Sequence, residues 1–578
     1  MRFLIFTSLL LLAYAASAQK KSLTVTESVL KQRALSPQRT VGFSWVKNKP
    51  AYTLLSADYK ALEEYTFIQD SVRVLCTVDQ LNNLLPDDAK IQNLYGYEWL
   101  SSDELLVNNG SVIFTYNISS KALIIKKTGL DNAENVTYHA ASNKCAYTID
   151  NNVYVAAYSN KFYVPVTKNT DKNIVSGQAI ARSEFGITEG LFWSADGTKL
   201  AFYQKDETEV HDYPLLDNSK TPGELISIKY PMAGQKSEKA RVGIFDLKTK
   251  ETVYFAAKNG QDNYLTNLSW TPDGNYVVVA EVNRDQDHMW LNVYNAKNGK
   301  FVKTLFEETS DKWTEPEHPA FFPEKTNNNF VWISERDGFN NLYYYDFNGS
   351  LIKKLTDHKF VVNDIHSCVN GVIYYNTTGE SPLQKHLYGV DLKGNSKIIT
   401  RANGTHSVSI SSDGKYFHDN FSSHDTPNND WIVDGRGKIV KKLLESEDKL
   451  GAYKIGSAEI GNLKGVDGST LYTRLIKPSN FDASKKYPVL VYVYGGPHAQ
   501  LITDSWLDGA SLWMYWMAEQ GYLVYTLDGR GSAERGFAFE SQIHRQLGTV
   551  EIEDQLTGVD YLKSLPYLRH LKHTLHFQ

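Results

Sequence analysis

Two glycine-rich turns near the carboxyl end of the sequence carry the residues best suited to chemistry. One hydrophobic strand leads into Tyr494-Gly-Gly-Pro-His498, and the next leads into Asp528-Gly-Arg-Gly-Ser532. Ser532 has a nucleophilic hydroxyl, but a catalytic serine at a strand end is exposed by a Gly-x-Ser-x-Gly turn, which Ser532 lacks. We therefore predict a structural role for Ser532. The Gly-x-Ser-x-Gly pattern occurs nowhere in residues 1–578, so the sequence identifies no serine nucleophile.

The spacing of apolar residues around these turns predicts alternating strands and helices. Helices are expected at 506–520, 533–547 and 550–565, the last with an apolar face formed by Ile552, Leu556, Val559 and Leu562. Strand–helix–strand order favours a parallel sheet of α/β type. Two strands that each end in a glycine-rich loop resemble the opening of an α/β-hydrolase sheet, in which the nucleophile turn comes next. Residues 454–566 are therefore predicted to form an incomplete α/β-hydrolase domain.

Residues 51–453 repeat a different pattern, in which an apolar or aromatic pair is followed by a Ser/Pro/Asp/Gly turn and an alternating apolar strand. Examples are Phe192-Trp-Ser-Ala-Asp-Gly197, Leu268-Ser-Trp-Thr-Pro-Asp-Gly274 and Val408-Ser-Ile-Ser-Ser-Asp-Gly414. The Asp-Gly step supplies the positive φ of a tight hairpin. Four strands in each unit predict a β-propeller of seven or eight blades, whereas a single β-sandwich uses fewer hairpins. The long excursion at 205–240 is expected to be an inserted loop.

The first 18 residues have the pattern of a secretory signal peptide. Arg2 precedes an apolar run that ends in Ala16-Ser-Ala18, a small-x-small cleavage site. The run is shorter than the ~20 residues of a spanning helix, so we expect cleavage and no membrane span. The mature protein, which begins with an N-terminal segment at 19–50, is expected to be secreted across the inner membrane and to be periplasmic or extracellular. A net charge of −5 does not favour nucleic acid as a partner.

Six motifs of the sequence point together to one family. They are Tyr494-Gly-Gly-Pro-His-Ala-Gln500, Leu527-Asp-Gly-Arg-Gly-Ser532, His544-Arg-Gln-Leu-Gly548, Glu553-Asp-Gln555, Arg182-Ser-Glu-Phe-Gly-Ile187 and Ser334-Glu-Arg-Asp-Gly-Phe-Asn-Asn-Leu342. They resemble the prolyl oligopeptidase superfamily, specifically its dipeptidyl peptidase IV branch, and most of all the bacterial prolyl tripeptidyl aminopeptidases. The resemblance implies a propeller that caps an α/β-hydrolase domain, with the active site between them. It implies a Ser-Asp-His triad that releases N-terminal di- or tripeptides after proline, proline-containing peptides as substrates and no cofactor or metal, and it allows a homodimer.

The resemblance assigns roles to two residues. Tyr494 matches the tyrosine whose hydroxyl donates to the oxyanion formed during acyl transfer, and a preorganised donor of this kind lowers the barrier. Glu184 matches a carboxylate that pairs with the free α-ammonium of the substrate and fixes its distance to the cleaved bond. The dipeptidyl branch has two adjacent glutamates there, whereas this sequence has Arg182-Ser183-Glu184. The single glutamate favours the release of tripeptides.

The resemblance ends at about Pro566, ahead of the triad. Residues 567–578 are expected to be an aberrant tail from a frameshift or a truncated gene. Its His570, His573 and His576 are three residues apart, a spacing that would not keep them on one face of a helix, so they are not expected to bind a metal. The catalytic Ser, Asp and His would all follow residue 578, so the 578-residue chain is predicted to be inactive. The alternative is a non-catalytic propeller protein that binds peptides.

Overall fold

The computed structural model of the protein describes residues 20–66, 71–110, 112–128, 132–157 and 163–569. The predicted signal peptide and the three histidines of the predicted tail lie outside these residues. Among the helices that fall within them, none is long and apolar enough to cross a membrane.

Most of the described residues form eight sheets that follow one another along the chain as the blades of a propeller. Within each blade the strands pair in antiparallel fashion. Tight turns at Asp-Gly steps connect several of these strands, because glycine accepts the positive φ that such a turn requires. The predicted β-propeller is confirmed, and within the described residues it has eight blades.

Among the described residues, six of the blades have four strands, whereas blade 4 has five and blade 6 has three. Blades 1 to 4 contain, in turn, Ser44–Trp45, Ala51–Leu55, Ala61–Thr66 and Ser71–Thr77; Tyr97–Trp99, Glu104–Asn108, Val112–Asn117 and Leu123–Thr128; Glu134–His139, Lys144–Ile149, Asn152–Ala157 and Tyr163–Pro165; and Ile174–Ser176, Leu191–Trp193, Lys199–Asp206, Lys239–Asp246 and Glu251–Ala256. Blades 5 to 8 contain Tyr264–Trp270, Tyr276–Val282, His288–Asn295 and Phe301–Thr309; Asn329–Ser334, Asn341–Asp346 and Leu351–Lys354; Val362–Val369, Val372–Thr377, His386–Asp391 and Ser396–Ile398; and Thr405–Ile410, Tyr416–Ser423, Thr426–Asp434 and Ile439–Glu445.

Hydrophobic clusters between neighbouring blades hold the propeller together. Trp99 and Phe114 of blade 2 are buried against blade 1, and Tyr375 of blade 7 is buried against blade 6. Full burial of one such side chain stabilises the fold by roughly 1.5–3 kcal/mol. The ring closes between the first and last blades, where the Trp45 indole N–H donates to the Ser409 carbonyl at 3.2 Å.

The excursion at 205–240 is more ordered than the predicted loop. It forms a separate two-stranded hairpin, Asp212–Asp217 with Glu224–Lys229, inserted between two strands of blade 4. Both of its faces are rich in apolar residues, and these side chains are exposed: Tyr213, Leu215, Leu216, Leu225, Ile226 and Ile228. We call this element the blade 4 hairpin.

The residues after blade 8 form a sheet of four strands in the order Ser457–Lys464, Thr470–Lys477, Leu523–Asp528 and Val489–Val491. The last two strands are parallel, as predicted. The first two form an antiparallel hairpin, and Thr470–Lys477 also pairs in antiparallel fashion with Leu523–Asp528. Beyond them, Tyr487 pairs in parallel with Leu568. This mixed sheet is the opening part of an α/β-hydrolase domain. A short N-terminal strand and short helices complete the described elements: Lys21–Ser22 paired with Tyr453–Lys454, and Thr26–Leu30, Gln32–Leu35, Val78–Asn82, Asp87–Ala89, Ala181–Gly186 and Lys449–Ala452.

Two helices cover opposite faces of this sheet, Leu512–Glu519 on one side and Val550–Ser564 on the other. The first is shorter than predicted, because Trp506–Gly509 is a tight turn with positive φ at its centre. The second buries only part of the predicted face: Leu562 is buried as predicted, whereas Ile552 and Leu556 are exposed, and Asp554 and Gly558 are buried instead.

The helix predicted at 533–547 is wrong. That segment contains only the short helices Phe537–Glu540 and Ser541–Ile543. The segment bends because it follows the propeller surface: the Phe537 amide donates to the Gly338 carbonyl of blade 6 at 3.0 Å. Gly536 has a φ of 80°, and a Cβ there would lie 2.6 Å from the Phe339 ring.

Candidate active site

The two glycine-rich turns lie side by side at the carboxyl ends of neighbouring parallel strands. Leu490 pairs with Val524 in the strands that precede the turns. Beyond the strands, the His498 amide donates to the Gly531 carbonyl at 3.0 Å, which joins one turn to the other. In open α/β sheets, ligands bind at this end of the strands. The candidate site is therefore located around these turns.

Tyr494 lies at the mouth of this region, with 62% of its surface exposed. Its ring folds over Gly496, where a Cβ would lie only 2.5 Å from the ring carbon Cε1, so a larger residue at 496 would displace the ring. The ring lines a hollow of about 20 Å³ together with Asp528 and Ser532. A hollow of that size holds about one water molecule.

Ser532 and Asp528 serve the loop itself. The Ser532 hydroxyl donates to the Gly529 carbonyl at 2.6 Å, which is the structural role predicted for it. Asp528 accepts hydrogen bonds from the amides of Leu501 and Ile502. Burial raises the pKa of the Asp528 carboxyl to about 6, although these two amides oppose the shift.

Glu184 lies in the strained turn Ala181–Gly186, which crosses between two strands of blade 4. Four non-glycine residues of this turn, Ala181, Arg182, Ser183 and Phe185, have φ between 51° and 66°. Such backbone costs of order 1–3 kcal/mol per residue and is concentrated at functional sites. Phe185 is buried and Arg182 stacks on Tyr230 at 4.4 Å, so both anchor the turn. The Glu184 side chain remains exposed between these anchors.

Four other glutamates from both domains interact electrostatically with one another in this region. Glu315, Glu317 and Glu335 come from the segments around blade 6, and Glu540 comes from the hydrolase domain. Burial raises the pKa of Glu315, and the charges of Glu317, Glu184 and Glu540 raise it further. Burial also raises the pKa of Glu540. It raises the pKa of Glu335 to about 8, and the negative charge of Glu540 is the second-largest cause of that shift. We call Glu184, Glu315, Glu317, Glu335 and Glu540 the carboxylate cluster.

His498 connects this cluster to the Tyr494 turn. Its Nε2 lies 3.3 Å from Glu315 of the propeller, and its Nδ1 lies 3.9 Å from Glu540 of the hydrolase domain. Trp313 packs beside it, with ring centroids 6.1 Å apart. The cluster therefore occupies the junction of the two domains, beside the end of the strand that leads into Tyr494.

Tyr494 and Glu184 are predicted from the sequence as site residues, and their roles stay predictions, whereas the other residues of this region were not predicted. Tyr494 comes from the hydrolase domain and Glu184 from the propeller. Glu184 is a member of the carboxylate cluster, whereas Tyr494 lies in the turn that leads to His498 beside the cluster. Glu315, Glu335 and Glu540 carried no sequence signal, because exposed glutamate is the commonest state of that residue. His498 has a weak sequence signal, since it directly follows the Gly-Gly-Pro turn.

Two parts of the chain match known families. Residues 112–428, more than half of the chain, match the dipeptidyl peptidase IV (DPP IV) N-terminal region, and residues 509–574 match the prolyl oligopeptidase family. The chain belongs to the dipeptidyl peptidase IV branch of the prolyl oligopeptidase superfamily. The family resemblance drawn from the sequence motifs is thereby confirmed.

Relatives within this branch extend the comparison. Dipeptidyl-aminopeptidase B of Aspergillus niger is 28% identical over 471 residues, which cover 74% of this chain and 51% of the relative. The chain thus spans about half the length of the curated relatives it matches. A Bacteroides ovatus protein assigned as a dipeptidyl aminopeptidase IV superposes with a TM-score of 0.87 at 34% identity, covering 95% of this chain and 80% of the other. Porphyromonas gingivalis dipeptidyl peptidase 4, at 23% identity, has the same fold with a TM-score of 0.83 over the same shares.

Proposed function

We propose that the chain is the peptide-binding part of a serine exopeptidase that removes di- or tripeptides ending in proline from free N-termini. The carboxylate cluster is the observation that carries this proposal. It gathers carboxylates from the propeller and the hydrolase domain at one junction, where burial, and to a lesser extent their mutual repulsion, raises the carboxyl pKa values. The free α-ammonium of a peptide supplies the compensating charge.

The cluster and Tyr494 together define a direction for the peptide. Charge-assisted bonds from the α-ammonium to Glu184 and Glu540 hold the N-terminus between the two domains. From there the bound peptide runs past His498 toward the Tyr494 hydroxyl, which donates a hydrogen bond to the oxyanion formed at the cleaved carbonyl. Within residues 1–578 no Gly-x-Ser-x-Gly turn supplies a nucleophile. We therefore propose that this polypeptide binds peptides without cleaving them.

The test uses the 578-residue chain and the p-nitroanilides of Gly-Pro and Ala-Ala-Pro. Calorimetric titration is expected to show saturable binding of the free peptides and at least about tenfold weaker binding of their N-acetyl forms, because acetylation removes the charge that the cluster pairs with. No p-nitroaniline release above the buffer rate is expected. Equal affinity for free and acetylated peptides would refute the amine site, and turnover by this polypeptide would refute the absence of cleavage.

We also propose that the chain forms a homodimer through the blade 4 hairpin. The hairpin exposes Tyr213, Leu215, Ile226 and Ile228 on one face and Leu216 and Leu225 on the other. Contiguous exposed apolar surface of this kind marks interaction sites. A second copy fits it because two identical hairpins related by a twofold axis cover each other with the same residues.

Light scattering at micromolar concentration tests the dimer. The wild-type chain is expected to have twice the monomer mass, and Leu225→Asp is expected to reduce it to the monomer. Val466→Asp is the matched control, because Val466 is equally exposed but lies in the hydrolase domain. A monomeric wild type, or a loss of the dimer in the control as well, would show that the hairpin is not the interface.

A further inference from the structure

A cavity of about 120 Å³ opens beside the carboxylate cluster, between blades 5 and 6 and the hydrolase domain. Three aromatic rings form its walls, from Trp313, Trp332 and Phe537. The Trp313 and Phe537 rings meet edge to face at 5.5 Å between centroids, and Trp332 is almost completely buried. We call this space the side pocket, defined by these three residues with Glu308, Thr314 and Glu335.

The charges around the side pocket do not balance. Glu308 is paired with the Arg336 guanidinium and also accepts a hydrogen bond from the Ser334 hydroxyl. Arg336 in turn stacks on the Tyr343 ring at 4.4 Å, so it is held in place as a partner of Glu308. Among the residues that the structure describes, the Glu335 carboxylate has neither a hydrogen bond nor an ion pair.

A second lining residue also lacks a partner. Thr314 is only 8% exposed, yet its hydroxyl makes no hydrogen bond within the described part of the chain. A buried polar group without a partner is costly, typically about 1–3 kcal/mol. Glu335 and Thr314 thus both line the side pocket without a polar partner among the described residues.

The chemistry of the pocket indicates a cation. Aromatic faces attract ammonium and guanidinium groups, and more strongly where water is excluded. A carboxylate adds a charge-assisted bond to the same group. Burial and the charges of Glu540, Glu315, Glu317 and Glu308 raise the pKa of Glu335, so an arriving cation relieves an existing repulsion. Among the described residues, no three or more His, Cys, Asp or Glu side chains are arranged so that they could hold a metal ion, so we consider an organic cation as the ligand.

We propose that the side pocket binds the cationic side chain of a lysine or arginine close to the N-terminus of the bound peptide, between the aromatic walls and Glu335. This inference rests on the proposed function, since the peptide must first be held by its α-ammonium in the carboxylate cluster. The side pocket then gives the protein a preference for basic peptides among those that carry proline.

Calorimetric titration of the 578-residue chain at pH 8 tests this preference. Tetrapeptides are compared in pairs that differ only in lysine against norleucine, an uncharged residue with the same carbon chain, at each position that precedes proline. In at least one pair the lysine peptide is expected to bind at least about tenfold more tightly than the norleucine peptide, because it gains one charge-assisted bond. In Glu335→Gln the two peptides of that pair are expected to bind within about twofold of each other.

Asp337→Asn is the matched control. It removes the same charge two residues away, but Asp337 pairs with Lys354 and does not line the side pocket. It is expected to keep the preference for lysine. The absence of any preference in the wild type, or its persistence in Glu335→Gln, would overturn the inference.

N-acetylated norleucine peptides separate this inference from the proposed function. If acetylation weakens binding but lysine and norleucine bind alike, the amine site stands and the side pocket is refuted. If acetylation has no effect, or no peptide binds, the proposed function fails and the side-pocket inference fails with it.

Discussion

Replacing Glu540 by glutamine is expected to weaken the binding of a peptide with a free N-terminus by roughly 30- to 150-fold, the equivalent of about 2–3 kcal/mol for a hydrogen bond to a charged group. Glu540 is only 9% exposed, so water screens its charge poorly. Its Oε1 accepts hydrogen bonds from the amides of Arg535 and Gly536. Glutamine keeps an oxygen for those amides, so Glu540→Gln removes the charge while preserving the loop. Calorimetric titration with Ala-Ala-Pro-p-nitroanilide measures the loss.

The N-acetylated peptide is the internal control for Glu540→Gln. It has no α-ammonium, so its affinity is expected to be the same in the variant and the wild type. Glu184→Gln is expected to act in the same direction with a smaller effect, because Glu184 is exposed and its charge is better screened. An equal loss for free and acetylated peptides would mean that Glu540 shapes the loop and does not bind the amine.

The second large effect concerns stability. Asp554→Ala is expected to destabilise the hydrolase domain by about 3–5 kcal/mol, because the buried Arg530 guanidinium then loses its one fully buried counter-charge and keeps only partly exposed ones. Asp554 is fully buried and accepts from the Arg530 backbone amide at 2.7 Å and from its guanidinium Nη2 at 2.8 Å. The pair fixes the turn that lies beside Tyr494. Urea unfolding followed through the fluorescence of Trp513 and Trp516, in the helix on this sheet, measures the loss.

Glu553→Ala is the matched control for Asp554→Ala. Glu553 contacts the same guanidinium at 3.2 Å, but its side chain is 57% exposed. An exposed ion pair contributes about 1 kcal/mol or less, so the unfolding midpoint is expected to shift little. Equal destabilisation by the two substitutions would show that the burial of Asp554 does not determine how much it contributes to the free energy of unfolding.

The propeller could be predicted because its determinants are local. Each Asp-Gly turn and the alternating strand after it can be recognised within about ten residues, and the copies at Gly197, Gly274 and Gly414 all form the hairpins expected of them. The closure of the ring depends on Trp45 and Ser409, which are 364 residues apart. No local pattern encodes that contact, so the number of blades remained open between seven and eight.

The parts of the hydrolase domain that were mispredicted share one physical cause. Periodicity places apolar residues inward, but tertiary contacts overrode it in two places. The segment at 533–547 is bent by its hydrogen bond to Gly338 and is not a regular helix. The helix Val550–Ser564 turns Asp554 inward, because the Arg530 ion pair outweighs the burial of Ile552 and Leu556.

The candidate site was predictable only where a turn marks it. Tyr494 is conspicuous because a strand ends there in glycines, and Glu184 because its neighbours resemble a family motif. The carboxylate cluster is assembled from positions up to about 350 residues apart, such as Glu184 and Glu540, and each member is an ordinary glutamate in the sequence. The proximity of these glutamates depends on the fold, which a single sequence does not reveal.

The outer edge of the hydrolase sheet is open in the described part of the chain. Val489–Val491 pairs with Leu523–Asp528 on one side, and next to its other side the described residues form only the single bridge between Tyr487 and Leu568. An unpaired strand edge presents backbone N–H and C=O groups that can pair with a strand of another chain. The hydrolase part of this chain is thus expected to associate along this edge wherever no further strand covers it.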